Sequence, residues 1–277
     1  FIKQIFNIPI KTSFLMMFLA FAPGCSFVYR NKNLPKVQDN NFNREIISNF
    51  SKAISRDPNN FLFYLERGIA KHDYRDYQGA IKDFNNSFSL SPNLKIMFHM
   101  ANSKYAYGDH EGAIEDYERL IFEKAYKDQV FFNIANSHLI LLNYEEAVKN
   151  YNKSIEFDKH DEYSFLNRGY SKFKLNDYLG ATKDYVKTLD INKNSYIAFN
   201  NIGVSKFKLS QYKSALKDFK KSLELNPHNY NTFYNKSLTH FELKEYKKAC
   251  IDLKKSIKLG KEVFKDEFLK ICFKNSK

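Results

Sequence analysis

Apolar side chains recur every three or four residues along most of this chain, which is the spacing of one face of an α-helix. In residues 209–229, Ala215, Phe219 and Leu223 share such a face, whereas the lysines point elsewhere. Pro227 ends the segment because proline cannot continue a helix. The pattern predicts an amphipathic helix that buries one side.

The same pattern is repeated at a nearly constant interval. An alanine in the same phase occurs six times, at Ala80, Ala113, Ala147, Ala181, Ala215 and Ala249. The successive gaps are 33, 34, 34, 34 and 34 residues. Because this period leaves room for two helices, it predicts an all-α fold of stacked helix pairs.

A second set of small residues lies in the first helix of each predicted pair, four residues after an aromatic residue or Met. Its members are Gly68, Ala101, Ala135, Gly169, Gly203 and Ser237. Two helices cross closely only where the side chains between them are small. We therefore predict that Gly68 and the six alanines form the contact between paired helices.

These positions, in phase over six copies, resemble the tetratricopeptide repeat family across residues 61–261. The resemblance implies antiparallel helix pairs stacked into a right-handed α-solenoid, a superhelix whose concave surface binds other proteins. We expect residues 43–60 to be a partial repeat that caps the N-terminal end, and residues 262–277 to be a C-terminal capping helix. The resemblance also implies a non-enzymatic scaffold for protein–protein interaction.

The N-terminal segment has the features of an export signal. Lys3 and Lys11 precede or flank an apolar run, residues 12–22, that is too short for a comfortable membrane span. Small residues before Cys25 resemble a bacterial lipoprotein signal, in which the cysteine is acylated. A cleaved signal without lipid and an uncleaved anchor are the alternatives. We expect the true start to lie upstream of Phe1.

This interpretation predicts where the protein resides. Residues 1–24 would be removed, Cys25 would carry the acyl chains, and residues 25–42 would form a polar, flexible tether. The protein would then be a lipid-anchored component of the bacterial cell envelope, at the outer membrane or cell surface rather than the inner membrane. Because the signal exports the chain, we expect no nucleic-acid partner.

The first helices carry a column of asparagines in one phase, Asn133, Asn167, Asn201 and Asn235. An asparagine side chain both donates and accepts, so a column of them suits the backbone of an extended peptide. The column resembles the asparagine ladder of some peptide-binding tetratricopeptide proteins. The alternative is that asparagine is simply common in this family and in this composition.

Aromatic side chains lie beside that column. The candidates for a binding groove are Tyr170, Phe173, Phe207 and Phe241, and the alternative is packing between helices. Four lysines flank the same region and are candidates for holding an acidic partner, namely Lys172, Lys174, Lys206 and Lys208.

Charge is unevenly distributed along the chain. The net charge is +13, and from residue 196 to the end 18 lysines accompany only 8 acidic residues. A basic region of this kind is either a solvated lysine-rich surface or a contact for an anionic partner. The alternative function is therefore a surface-exposed lipoprotein that contacts host or anionic ligands through its C-terminal third.

The residues of catalysis and metal binding form no recognisable pattern. Neither the three cysteines nor the seven histidines have the spacing of a metal or redox motif. Cys250 and Cys272 are expected to be neighbours, as free thiols, which we favour, or as a disulfide. Carboxylates recur regularly on the second helices, at Asp83, Asp116, Asp184, Asp218 and Asp252. This recurrence predicts that they lie on the surfaces of the repeats rather than in one catalytic cleft. We expect no catalytic residue, no metal and no cofactor.

Overall fold

The computed structural model describes residues 40–123 and 127–261, together with Cys272. These residues form thirteen helices and no strand. The helices are α1 Asn40–Arg56, α2 Phe61–Asp73, α3 Tyr77–Leu90, α4 Leu94–Tyr107, α5 His110–Phe122, α6 Lys127–Ile140, α7 Tyr144–Phe157, α8 Glu162–Lys174, α9 Tyr178–Ile191, α10 Tyr196–Lys208, α11 Tyr212–Leu225, α12 Tyr230–Glu242 and α13 Tyr246–Lys258.

Helices of one pair contact each other in α2–α3, α4–α5, α6–α7, α10–α11 and α12–α13. Contacts with the preceding helix join α1 to α2, α3 to α4, α5 to α6, α9 to α10 and α11 to α12. The described residues divide into two compact units, residues 40–171 and residues 172–261 with Cys272. Below, the N-terminal unit means the described residues 40–171, and the C-terminal unit means residues 172–261 with Cys272. The all-α fold of stacked helix pairs predicted from the 34-residue period is confirmed.

Some predicted segments lie outside the described residues. They are the signal segment 1–24, Cys25, most of the tether and the C-terminal cap 262–277 apart from Cys272. Where the structure does reach the tether, residues 40–42 are helical, so α1 begins three residues before the predicted start of the partial repeat.

Side-chain caps fix where the helices begin. Asn60, Asn93 and Asn229 each accept a hydrogen bond from a backbone N–H in the first turn of a first helix. Asp76 and Asp177 do the same for second helices. Each cap satisfies a donor that the helix itself leaves unpaired.

The turn inside each pair contains one residue in the left-handed region at the same place in every repeat. These residues are Arg75, Gly108, Leu142, Asn176, Ser210 and Lys244, with φ between 58° and 99°. Only one of the six is glycine, although this conformation costs other residues about 1–2 kcal/mol. The packing of the two helices therefore imposes the turn.

The close contact between paired helices lies at the predicted small residues. All six alanines are 0% exposed. A Cβ atom added to Gly68 would lie 2.7 Å from Cε1 of Phe84, and one added to Gly203 would lie 2.6 Å from Cε1 of Phe219. In both units the large ring of the second helix fills the space that the glycine leaves.

None of the thirteen described helices has the length and apolar character needed to cross a membrane.

Candidate functional site

The asparagine column of the N-terminal unit is part of a buried hydrogen-bond network. Asn133 is 0% exposed, and its Nδ2 donates to Asn102 Oδ1 at 3.2 Å and to the Tyr117 hydroxyl at 3.1 Å. The Tyr117 hydroxyl donates in turn to Asn102 Oδ1 at 2.6 Å. The network links α4, α5 and α6, which belong to two successive helix pairs.

The same arrangement occurs one repeat later. The Tyr151 hydroxyl donates to Asn136 Oδ1 at 2.5 Å, and Asn167 Nδ2 donates to the same oxygen at 3.2 Å. Asn136 follows Asn102 by 34 residues, and Tyr151 follows Tyr117 by the same number. Two residue types that recur at the repeat period therefore build one hydrogen-bonded unit twice.

In the C-terminal unit the two column asparagines meet through Asn200. Asn235 Nδ2 donates to Asn200 Oδ1 at 3.0 Å, and Asn200 Nδ2 donates to Asn201 Oδ1 at 3.2 Å. Thr232 Oγ1 also donates to Asn200 Oδ1, at 3.1 Å. Sequence reasoning missed Asn200, because no asparagine precedes or follows it at the repeat period.

All four column asparagines are thus buried and hydrogen-bonded to other side chains, with 0% to 6% of their surface exposed. The expectation that these asparagines line an open surface is therefore wrong. Their buried amides join neighbouring helices, as buried polar groups must find partners. Binding of a peptide by this column stays a prediction.

The predicted groove aromatics also take part in internal packing. Tyr170 and Phe173 are 2% and 7% exposed, and Phe207 and Phe241 are half-buried. In the C-terminal unit each phenylalanine packs against the tyrosine that opens the next helix. The pairs are Phe173–Tyr178, Phe207–Tyr212 and Phe241–Tyr246, with ring centroids 5.2–5.4 Å apart. These ring pairs hold the end of each first helix against the start of the second helix. A role of the phenylalanines in ligand contact stays a prediction.

Two of the four lysines expected to hold an acidic partner are bound to carboxylates of their own helix pair. Lys172 Nζ lies 2.9 Å from Asp184 Oδ2, and Lys206 Nζ lies 2.7 Å from Asp218 Oδ2. Lys71 with Asp83 and Lys104 with Asp116 repeat this pair in the N-terminal unit, at 2.8 and 2.6 Å. Lys172 and Lys206 are therefore engaged within the protein, and a role for Lys174 and Lys208 in holding an acidic partner stays a prediction.

The predicted location of the recurring aspartates on the repeat surface is also wrong, because four of the five are buried. Asp83, Asp116, Asp184 and Asp252 are 1% to 6% exposed, whereas the expectation was a repeat surface. Burial raises the pKa of Asp116 and of Asp218, and the lysine beside each lowers it only in part. A carboxylate can stay in such a position because a cation is within hydrogen-bonding distance.

The N-terminal unit contains histidines whose pKa is lowered by burial, which the sequence did not reveal. His72 Nδ1 lies 2.7 Å from Ser103 Oγ, and burial lowers the pKa of His72 to about 4. Burial likewise lowers the pKa of His99 to about 4. A ring with so low a pKa is neutral at pH 7, so these side chains act as packed and hydrogen-bonded groups.

Cys250 and Cys272 form a disulfide with their Cα atoms 5.2 Å apart. The preference for two free thiols was wrong. Spacing along the sequence could not decide it, because disulfide formation depends on the distance and direction between the two residues in the fold. The bond attaches Cys272 to α13 beside Leu253 and Ala249.

No cluster of histidine, cysteine, aspartate or glutamate among the described residues has the arrangement to hold a metal ion. A cavity of about 370 Å³ opens in the N-terminal unit, lined by Phe88, Leu94, Met97 and Phe122 with Arg119 at its edge. Its lining is mainly apolar and brings no nucleophile and base together.

Family models of the tetratricopeptide repeat match this chain at residues 196–229, 128–161 and 230–260. The chain contains tetratricopeptide repeats. The three matches fall in both units, and they coincide with the helix pairs α6–α7, α10–α11 and α12–α13. No curated protein sequence matches the chain significantly.

Solved structures of tetratricopeptide repeat proteins share this fold. The C-terminal part of a repeat protein from Cytophaga hutchinsonii is 18% identical, with a TM-score of 0.68, covering 80% of this chain and 92% of that one. YrrB, described as a tetratricopeptide protein with an unusual peptide-binding site, is 14% identical with a TM-score of 0.59, covering 68% and 97%.

A third likeness is to the Cut9–Hcn1 hetero-tetramer of the APC/C, at 18% identity and a TM-score of 0.58. The alignment covers 84% of this chain but only 46% of the other, so the chain spans less than half the length of that protein. At these identities the likenesses show the fold alone. Tetratricopeptide proteins typically bind protein or peptide partners and are not catalytic.

Proposed function

We propose that this protein is a non-enzymatic scaffold of the bacterial cell envelope, which binds an extended peptide segment of a partner protein along its first helices. The observation that carries the proposal is the asparagine column, with one buried acceptor left without a hydrogen bond. Asn133 Oδ1 has no partner among the described residues, although the side chain is 0% exposed.

An unpaired buried acceptor is costly. On this proposal the first helices separate enough for a ligand N–H to reach Asn133 Oδ1 and supply the hydrogen bond that the free protein lacks. The column amides are bonded at 3.0–3.2 Å to three asparagines outside the column, Asn102, Asn136 and Asn200. These bonds have ordinary lengths, and a peptide backbone offers both a donor and an acceptor that can replace them. The likeness to YrrB agrees with a peptide ligand.

The envelope location is supported by two independent features. Cys25 follows an apolar segment with a basic start, which is the arrangement of a lipoprotein signal. The disulfide between Cys250 and Cys272 is of a kind that persists mainly in oxidising compartments outside the cytosol. On this proposal the acyl chains at Cys25 hold the repeats at the membrane.

The peptide-binding role is tested by selecting ligands from a library of displayed unstructured peptides with the full-length protein. We expect the triple variant Asn167→Ala/Asn201→Ala/Asn235→Ala to bind the selected peptides at least tenfold more weakly, measured by fluorescence anisotropy. The matched control changes three exposed asparagines, Asn85, Asn86 and Asn194, to Ala. Unchanged affinity in the first variant, with helicity retained by circular dichroism, would remove the column from the binding site.

The anchor is tested separately. Cells expressing the protein are labelled with palmitate, and Cys25→Ala is expected to abolish the label while Cys250→Ala retains it. Labelling that persists without Cys25 contradicts the acyl anchor and leaves the peptide-binding proposal untouched.

A further inference from the structure

The outward sides of the second helices differ between the two units. Four positions on each second helix, two before the fixed alanine and two, five and six after it, are exposed in α3, α5, α7, α9, α11 and α13. They are spaced i, i+4, i+7 and i+8, so they form one face of each helix. We call these residues the outer positions.

In the C-terminal unit, nine of the twelve outer positions are lysine and none is acidic. On α11 all four are lysines, Lys213, Lys217, Lys220 and Lys221. In the N-terminal unit the twelve equivalent positions hold four basic and four acidic residues. We call the outer positions of α9, α11 and α13 the lysine face. The repeat fold does not require lysine at these positions, because the equivalent positions of the N-terminal unit have no net charge.

The three remaining outer positions of the C-terminal unit are aliphatic. Leu179, Val186 and Ile251 are 62%, 44% and 68% exposed, and they lie among the lysines of α9 and α13. None of the outer positions in the N-terminal unit is aliphatic. The face thus combines positive charge with isolated apolar side chains that contact water.

Two carboxylates lie at the edge of this face. Asp190 is 3.0 Å from Lys187, and Glu224 is 2.9 Å from Lys221. All four side chains are about half or more exposed, and ion pairs of this kind are weak. The face therefore retains a strong positive potential.

We propose that this lysine face binds the surface of an anionic lipid bilayer. Lysines near such a surface are attracted to its phosphates, and the interface accepts apolar side chains from a protein that lies on it. A soluble polyanion would pair with the lysines but would leave Leu179, Val186 and Ile251 in water. The face is separate from the first helices, so the inference does not depend on peptide binding.

The test is flotation of the full-length protein with vesicles of phosphatidylcholine, with and without 30% phosphatidylglycerol, over a range of salt concentrations. Any binding through the apolar residues 12–22 affects both vesicles, so the ratio of the two partition coefficients isolates the charge effect. Each lysine near an anionic surface contributes roughly fivefold to partition. We expect Lys213→Gln/Lys217→Gln/Lys220→Gln/Lys221→Gln to reduce the ratio at least a hundredfold.

The matched control removes four positive charges from outer positions of the N-terminal unit, Lys82→Gln/Arg119→Gln/Lys149→Gln/Lys153→Gln. This control has the same net charge as the α11 variant. We expect its ratio of partition coefficients, anionic to neutral vesicles, to stay within about threefold of the wild-type ratio. Equal losses in both variants would reduce the effect to net charge and overturn the proposal. A wild-type ratio near one overturns it too, as does tight binding to heparin without a preference for anionic vesicles.

Discussion

The two units of this chain use the same helix pair but differ in charge. Residues 40–171 contain 16 basic and 19 acidic side chains, a net charge of −3, whereas residues 172–261 contain 19 and 8, a net charge of +11. The positions that build the pair are alike in both. Because the framework needs only the buried small and aromatic residues, the outer positions are available to carry a function specific to one unit.

The interiors differ as well. In the N-terminal unit Asp83 is bound by both Arg67 and Lys71, at 2.7 and 2.8 Å. In the C-terminal unit the Asp218 side chain is 16% exposed and forms an ion pair with Lys206. Asp83 is thus more deeply buried and more heavily compensated than Asp218, which makes the consequences of removing these two carboxylates unequal.

The largest expected effect comes from removing the buried carboxylate. Asp83→Ala leaves two cations without their partner and should lower the free energy of unfolding by about 3 kcal/mol. Asp218→Ala, at a partly exposed site, should cost about 1 kcal/mol. Urea denaturation followed by circular dichroism measures both, and equal losses would contradict the difference in burial on which this comparison depends.

Acid should destabilise the N-terminal unit through its buried histidines. The folded pKa of His72 is about 4, below the value of about 6.5 in an unfolded chain. The folded state therefore favours the neutral ring. Its stabilising contribution is complete above pH 6.5 and is lost as the pH falls from 6.5 to 4. The full loss is about 3 kcal/mol.

Hydrogen exchange of α2 and α4 at pH 7 and pH 4.5 checks this expectation, with α10 and α11, which contain no histidine, as the comparison. His72→Gln keeps a hydrogen-bonding side chain and removes the titration, so it should abolish most of the pH dependence of α2. A wild-type protein whose two units lose protection equally would show that the buried histidines are not the cause.

Reduction of the Cys250–Cys272 disulfide should lower the stability of the C-terminal unit. The disulfide closes a segment of 22 residues, for which loop-closure entropy gives about 3 kcal/mol. Dithiothreitol, or Cys250→Ser/Cys272→Ser, should therefore lower the thermal stability of α12 and α13 and leave α2 to α5 unchanged. Mass spectrometry of alkylated thiols establishes the redox state, and a melting curve insensitive to reductant would contradict the stabilising role.

The smallest effect should be the same in both units. Gly68→Ala and Gly203→Ala each introduce a Cβ within 2.7 Å of a phenylalanine ring, which overpacks the helix contact. Alanine also favours a helix over glycine by about 1 kcal/mol. The net loss should be about 1–2 kcal/mol in each case. Two unequal values in urea titrations would show that the shared framework differs between the units.

Much of the framework was predictable because it depends on residue size at a fixed period. The six alanines, from Ala80 to Ala249, identified the helix pairs, and those pairs are present. The turns lacking proline, residues 157–161 and 191–195, end their helices all the same. A steady interval over six copies is a stronger signal than any single turn residue.

The polar contacts were not predictable in the same way. Lys172 and Asp184 lie in different helices of one pair, and whether they meet or face solvent depends on how those helices are rotated. The same holds for Asn200 and for the disulfide. Period and phase place a residue on a helix face, but the partner of a buried polar group is set by the neighbouring helix.

The central claim is that one repeat carries two different outer sides, and that the lysine face of the C-terminal unit lies on anionic membranes. The chain has no tryptophan, so a single one reports on its own position. With anionic vesicles, Ile251→Trp should shift its emission to shorter wavelength, whereas Gln78→Trp, at an outer position of the N-terminal unit, should not. Equal shifts at both sites, or no shift at Ile251→Trp, would contradict the claim.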